Sequence, residues 1–309
     1  MPGRKRENCI NRGGRRPVLL FLLVPVLVVL CLCARMPIGD NVSHEPLNAD
    51  ILGGQQAGKA DKWPSELSAD NVSIFLWDQY RRQMEEAARQ IRVAVYSTHS
   101  SESYTASGGA AKLYGELGGV YRASDVMAQR LRSAGIGVVV DETIHDWPDW
   151  NKAYSNSLET ARRLLKTYTE LDVLIDMHRD AGVSRENSIV DIDGKTAARL
   201  LLVVGSDQRY QHDNWRQNEA FMQRIADLMD EMYPGLLRRV SVQSGRYNQH
   251  ISPQAILVEM GTTENSIEEV EYSARLLANV LQRLLEDEAD AAENADSADV
   301  PDLIQAENG

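Results

Sequence analysis

The chain has 309 residues, 43% of them hydrophobic, and a formal net charge of −12. That size supports one large domain with appendages, and an acidic balance without a basic stripe in the soluble part argues against nucleic acid as a partner. Cys9, Cys31 and Cys33 are the only cysteines, which excludes a disulfide framework, a Cys-rich zinc site and a thiol nucleophile from everything after them.

Residues 1–16 carry Arg4, Lys5, Arg6, Arg12, Arg15 and Arg16, and residues 17–34 are apolar. That run sits at the short end of a membrane span, which takes about 17–25 residues. Positive charge before it predicts a cytoplasmic N-terminus and an extracytoplasmic domain. Removal as a signal peptide is the competing reading, but Arg35, Met36 and Pro37 follow Cys33 without a small-x-small cleavage site. The expectation is a single-pass anchor in the cell membrane, preceding a linker at 35–70 rich in Gly, Pro, Asp and Asn.

From 71 to 285 short aliphatic runs alternate with helical patterns. This predicts an α/β domain with a single mostly parallel sheet flanked by helices. An amphipathic helix is expected over 72–90, with Trp77 and Tyr80 as packing residues, leading into a first strand at 91–96. A Ser, Gly and Ala-rich loop runs to Gly119; a helix over 124–134, ended by Gly135, leads to a second strand at 136–140. The loop 146–156 holds Trp147, Pro148, Trp150 and Tyr154, either as a substrate wall or as a cover for the core. A helix over 157–169 precedes a third strand at 171–177, and Leu200–Gly205 gives a fourth. Next come a helix over 215–233 stopped by Pro234, a short strand at 240–243, a last central strand at 255–259 and a closing helix over 266–285. Residues 286–309 are acidic and read as a disordered tail.

In such sheets ligands collect beyond the carboxyl ends of the strands. Four runs there end in polar residues: VAVYSTHSSE (93–102), VVVDETIH (138–145), LDVLIDMHRD (171–180) and AILVEMG (255–261). His99, Glu102 and His178 supply two imidazoles and a carboxylate, a recurrent catalytic zinc set with a fourth position for water. Glu259, at the end of an apolar run, is the carboxylate that would accept the water proton and return it to a leaving amine. Each has a bland alternative: His99 as a surface or capping residue, His178 in an ion-pair network with Arg179 and Asp180. His145 competes with Glu102 for the metal, and the HExxH signature is absent. Arg122, Arg179 and Arg246 are candidates to neutralise a carboxylate or an oxyanion, with Arg179 foremost because it follows His178. Asp176 and Asp180 are candidates to orient imidazoles, with the face of Asp176 left open. Serine hydrolysis fits less well, because GxSxG is missing and no oriented base can be placed for Ser97 or Ser101.

The ordered series STHSSESYTAS (97–107), DETIHDWPDWNKAYSNS (141–157), LIDMHRDA (174–181), SGRYNQHISPQAILVEMG (244–261) and EEVEYSARLLANVL (268–281) resembles the stage II sporulation protein P family over about 92–285. These peptidoglycan hydrolases are similar to zinc-dependent N-acetylmuramoyl-L-alanine amidases of the amidase type 3 fold. The resemblance implies a Zn2+ site at His99, Glu102 and His178, Glu259 as acid/base, and cleavage of the amide between N-acetylmuramic acid and L-alanine. It also implies a role in endospore engulfment, in the mother-cell membrane facing the intermembrane space, alongside stage II sporulation proteins D and M. Cross-link endopeptidase activity and a non-catalytic wall-binding scaffold are the alternatives. Two positions depart from the family pattern: Ser97 stands where members commonly carry a histidine, and His250 follows Asn248 and Gln249 where they usually carry Asp.

Overall fold

A computed structural model describes residues 69–106 and 108–298. Strands β1 (Ile91–Tyr96), β2 (Gly137–Val140), β3 (Val173–Asp180), β6 (Leu200–Gly205), β7 (Leu237–Gln243) and β8 (Ala255–Thr262) build one sheet in the order β2-β1-β3-β8-β6-β7. β4 (Ile189–Ile192) and β5 (Lys195–Ala198) form a separate antiparallel hairpin. Five helices complete the described part: α1 (Ala69–Arg89), α2 (Gly119–Ser133), α3 (Ala153–Thr167), α4 (Trp215–Met232) and α5 (Ile267–Ala298).

β2, β1, β3 and β8 run parallel, as the sequence predicts. The sheet is mostly parallel, as expected, with one exception: β6 pairs antiparallel with β8, and β7 follows β6 in parallel. Leu200, which opens β6, stands in register with Met260 of β8. The edge where β1, β3 and β8 end is thus the edge where β6 begins.

The two faces of the sheet are covered unequally. On one, Val93, Val95, Ile175, Met177, Leu202, Ile256 and Val258 interlock with Met127 and Leu131 of α2, Met222 and Ile225 of α4, and Leu277 and Leu281 of α5. On the other, Ala94, Tyr96, Leu174 and Ala255 meet Ala161 and Leu164 of α3. Farther along that face Leu201, Val203 and Leu257 make a small cluster against the ring of Tyr247. Side chains alternate along a strand, so Asp176 and His178 share this second face with Leu174, as Glu259 does with Ala255 and Leu257.

Several boundaries differ from the sequence reading for identifiable reasons. α2 begins five residues before the expected Ser124, whose hydroxyl donates to Val120 O (3.0 Å) inside the helix instead of capping it. Gly118 and Gly119 conceal that start, because glycine scores as loop. A Cβ on Gly118 would fall 2.0 Å from Glu102 O, so the chain can pass there only without a side chain. The hairpin β4–β5 was not expected; Asp193 and Gly194 take positive φ at its turn, which is the Asp-Gly signal of a tight hairpin.

The expected disordered tail from 286 is corrected as far as Ala298, to which α5 continues, while residues 299–309 lie outside the described residues. Arg283 pairs with Asp287 (2.7 Å) and Gln282 with Glu286 (2.7 Å) one turn on, and Arg224 of α4 reaches Glu288 (2.9 Å). At its start, Ser266 N donates to Glu269 Oε2 (3.0 Å) and Glu269 N to Ser266 Oγ (3.3 Å), a reciprocal capping box. Helix formers and these pairs outweigh the acidity.

The expected transmembrane helix at 17–34 lies outside the described residues. Among the described residues no helix is long and apolar enough to cross a membrane; α1 and α5, the longest, are amphipathic and interspersed with charge. The described residues thus contain no membrane-spanning helix to support the anchored fold or the single-pass localisation.

Candidate active site

The turn after β1 carries the first group. Thr98 is held by Asp176, which accepts from its N (2.8 Å) and from its hydroxyl (2.6 Å). Ser101 N and Oγ both donate to Asp146 Oδ2 (3.0 and 2.7 Å), and Glu102 N donates to His99 O (3.1 Å). A run of small hydroxyl residues thereby satisfies its own polar groups and fixes His99 and Glu102 on one rigid turn.

His99 stacks on Trp150, with ring centroids 3.9 Å apart and planes 3° from parallel. Its edge meets Tyr154 at 5.6 Å and His178 at 5.2 Å. Lys112 Nζ lies 3.2 Å from the Trp150 centroid. His99 Nδ1 is buried without a hydrogen-bond partner. Burial, and then the neighbouring His178, push its pKa down to about 4, so the ring is neutral near pH 7 with a lone pair unclaimed by the protein.

His178 projects from β3 between two carboxylates, with Nδ1 3.5 Å from Glu102 Oε2 and Nε2 3.0 Å from Asp176 Oδ1. Burial alone would lower its pKa, but the two carboxylates outweigh it and raise it well above the usual range. Glu102 is the mirror case: burial would raise it, and the hydrogen bond to His178 with the charges of His178 and Arg179 leaves it lowered. Asp176 shares the face of His178, two residues along the same strand, and so settles the orientation that the sequence left open.

Glu259 stands directly beside His178 in the β3–β8 register. Its Oε2 is shielded from solvent and has no partner. Burial, partly countered by His178 and reinforced by Glu102, Asp180 and Asp176, raises its pKa to about 7. A carboxyl poised there can both take and give a proton at neutral pH.

His145, the alternative third donor, is already engaged at both ring nitrogens. Nδ1 donates to Ser97 O (2.8 Å), which leaves Nε2 to accept from Thr160 Oγ1 (2.9 Å). Arg179 departs from its expected place near an oxyanion. Alternation turns it away from His178, and its guanidinium donates to Ser103 O (2.9 Å) and Ala111 O (2.8 Å) while its N donates to Glu102 Oε2 (3.1 Å). It is a clamp for the Glu102 loop. Arg122 pairs with Glu271 on the helical side (2.5 Å), Arg246 lies near Tyr210, and Asp180 accepts from Arg238 (2.5 Å).

At the two positions that depart from the family pattern, Ser97 Oγ and His250 Nδ1 are buried without partners. Sequence reading did not single out Tyr247, which flanks Tyr154 at 5.8 Å, or Asn248, whose amide donates to Tyr154 O and Ser157 Oγ (3.0 Å each). The only signal was their place in the SGRYNQH stretch. In the aromatic loop and the helix turn after it, Trp150 stacks on His99, and Tyr154 lies against His99 and His178.

Among the described residues no group of three or more His, Cys, Asp or Glu is arranged to hold a metal ion. His178 lies between Glu102 and Asp176, with Nδ1 and Nε2 each near one of the two carboxylates. The donor chemistry still fits zinc: a neutral, unpartnered His99 Nδ1, an ionised Glu102, and His178 with Asp176 behind it in the manner of an imidazole oriented by a carboxylate. Binding would have to displace the His178 proton.

Comparison with known proteins places these residues in context. Residues 43–282 match the family model of stage II sporulation protein P (SpoIIP). Stage II sporulation protein P of Bacillus subtilis (strain 168) is 28% identical over 212 residues, covering 62% of this chain and 50% of that protein. The chain thus spans about half the length of the curated relative it matches. Among solved structures it is similar to the N-acetylmuramoyl-L-alanine amidase AmiC2 of Nostoc punctiforme, at 14% identity and a TM-score of 0.41 over 64% of this chain and 98% of that one. It is also similar to an N-acetylmuramoyl-L-alanine amidase from Clostridium difficile 630, at 16% identity and a TM-score of 0.38 over 64% and 96%. At these scores the likeness is coarse and carries nothing further. The expected membrane attachment, and the partners implied by the family resemblance, stage II sporulation proteins D and M, gain no support here: no helix among the described residues is long and apolar enough to cross a membrane.

Proposed function

The chain belongs to the stage II sporulation protein P family, and from that membership we propose that it is a peptidoglycan hydrolase cutting the amide between N-acetylmuramic acid and L-alanine with the help of zinc. The observation that carries the reading is the convergence of His99, Glu102, His178 and Glu259 at one sheet edge, with Glu259 beside His178 in register.

His99, Glu102 and His178 would hold the ion, which when bound acts as a Lewis acid on the amide carbonyl and acidifies a water. The chain's own residues do the rest. Glu259 Oε2 takes a proton from the attacking water as its oxygen bonds to the lactyl carbonyl carbon. The same carboxyl then protonates the L-alanine nitrogen as the carbon–nitrogen bond breaks, which leaves a free lactyl carboxylate and a stem peptide with a free amine. The Asp176 carboxylate lies 3.0 Å from His178 Nε2 and favours its charged form, and Trp150 and Tyr154 wall the histidines and exclude bulk water. Arg179 holds Glu102 through its backbone and side chain without touching the reacting atoms.

The test is digestion of defined muropeptides with zinc, followed by mass spectrometry. Released peptides should begin at L-alanine, and Glu259→Gln should abolish release. Products cut only in the cross-bridge, or glycan binding with no bond broken, would overturn the reading in favour of an endopeptidase or a scaffold.

A further inference from the structure

Outside the catalytic cluster two aromatic rings stand in solvent. Tyr114 is 61% exposed and Trp147 53%. Their centroids are 6.5 Å apart and their planes tilt by 47°. They come from different segments, each tied to the catalytic turn. Leu113, beside Tyr114, donates its N to Ser101 O (2.8 Å), and Lys112 sits over Trp150. Trp147 follows Asp146, which holds Ser101, and precedes by three residues the Trp150 ring that stacks on His99. Gly115, at φ +76°, turns the first segment so that its α-carbon side passes the Trp147 ring, where a Cβ would sit 3.6 Å away.

Two large rings stand together in solvent on segments that lead to the catalytic turn, an apolar surface that a ligand face could cover. The remaining exposed large hydrophobic side chains, Trp77, Tyr80, Met84, Tyr210 and Val242, belong to other segments. The chain neighbours of the pair mix polar Glu116 and Asp149 with half-buried Leu113 and exposed Pro148, a small apolar area with a polar edge. A protein partner would call for a wider apolar patch with aliphatic members. A pyranose ring presents one face of C–H groups, which suits the negative face of an aromatic ring, and a rim of hydroxyls, which suits polar surroundings. Two tilted faces match successive sugars of a strand that twists along its length.

We infer that Tyr114 and Trp147 form a sugar-stacking platform that seats the glycan strand of the substrate next to the scissile amide. The inference deepens the proposed function and rests on it for the identity of the strand. The platform binds glycan backbone, whereas the histidine cluster acts on the bond to the peptide, so the two can be separated.

The probe is glycan strands already stripped of stem peptides, titrated calorimetrically into the full chain and into Tyr114→Ala, Trp147→Ala and the double variant. The expected result is a fall in affinity of at least tenfold for the double variant. Tyr114→Phe and Trp147→Phe should stay within twofold of the parent, since a stacking face survives. Peptide release from a single-disaccharide muropeptide should remain within about threefold in the double variant, while release from intact sacculi falls by tenfold or more. Equal affinity of the parent and the double variant for stripped strands, or no binding by the parent, overturns the platform. Glycan binding that depends on both rings, in a chain that releases no peptide, would uphold the platform and remove the amidase reading instead.

Discussion

The two faces of the sheet do different work. The face under α2, α4 and α5 is aliphatic and sealed, with Met127, Leu131, Met177, Leu202 and Met222 fully buried. The face that carries α3 ends in Asp176, His178 and Glu259, and burial and neighbouring charge shift the protonation of His178 and Glu259. Packing stability is concentrated on the first face, which frees the second to hold polar side chains at a cost a marginally stable domain could not otherwise carry. Strand alternation makes the division: in LIDMHRD one set of side chains enters the core and the other the site.

The sharpest way to break this contrast is at Glu259. Glu259→Gln keeps size and hydrogen bonding but cannot take a proton, and peptide release should fall by on the order of 10²–10⁴, the usual weight of general acid–base catalysis. A variant within tenfold of the parent would remove Glu259 from the chemistry.

Stability should show the opposite asymmetry. Met177→Ala, on the sealed face, should cost about 2–5 kcal/mol in denaturant unfolding, and His99→Ala, on the open face, less than about 1 kcal/mol. Equal losses would mean that the site face carries as much of the packing as the other.

Charge provides the third test. The folded pKa of Glu259 is raised to about 7 by burial, so the folded state holds the proton more tightly than the unfolded chain. The stabilisation this represents is complete below the unfolded value and is lost as pH rises through about 7, for a total of up to about 3 kcal/mol. In chelated protein, stability should therefore decline between about pH 4.5 and 7, and Glu259→Gln should flatten that slope. Activity should run the other way, rising through pH 7 as the base ionises. At the start of α5, Ser266→Ala should cost about 1 kcal/mol by removing a cap.

Much of this arrangement was legible in the chain. LDVLIDMH and AILVEMG announce strands that end in functional groups, and the structure sets His178 and Glu259 side by side on them. What escaped has local causes. The start of α2 hid behind two glycines, and the Asp193–Gly194 turn marked a hairpin between runs too short to stand out. Acidity disguised the last turns of α5, where alanines and ion pairs sustain the helix. Arg179 was misplaced because adjacency to His178 was weighed above alternation, which sends neighbouring side chains to opposite faces. The antiparallel entry of β6 depends on a long-range pairing that no local pattern encodes.

The most direct measurement is zinc stoichiometry by mass spectrometry on the purified chain, its Glu259→Gln variant and a His99→Ala, His178→Ala double variant. One zinc per chain in the parent and in Glu259→Gln, and none in the double variant, is the expected result. Full zinc retention in the double variant, or no zinc in a parent that still releases stem peptides at full rate, would contradict a metal held by these two histidines.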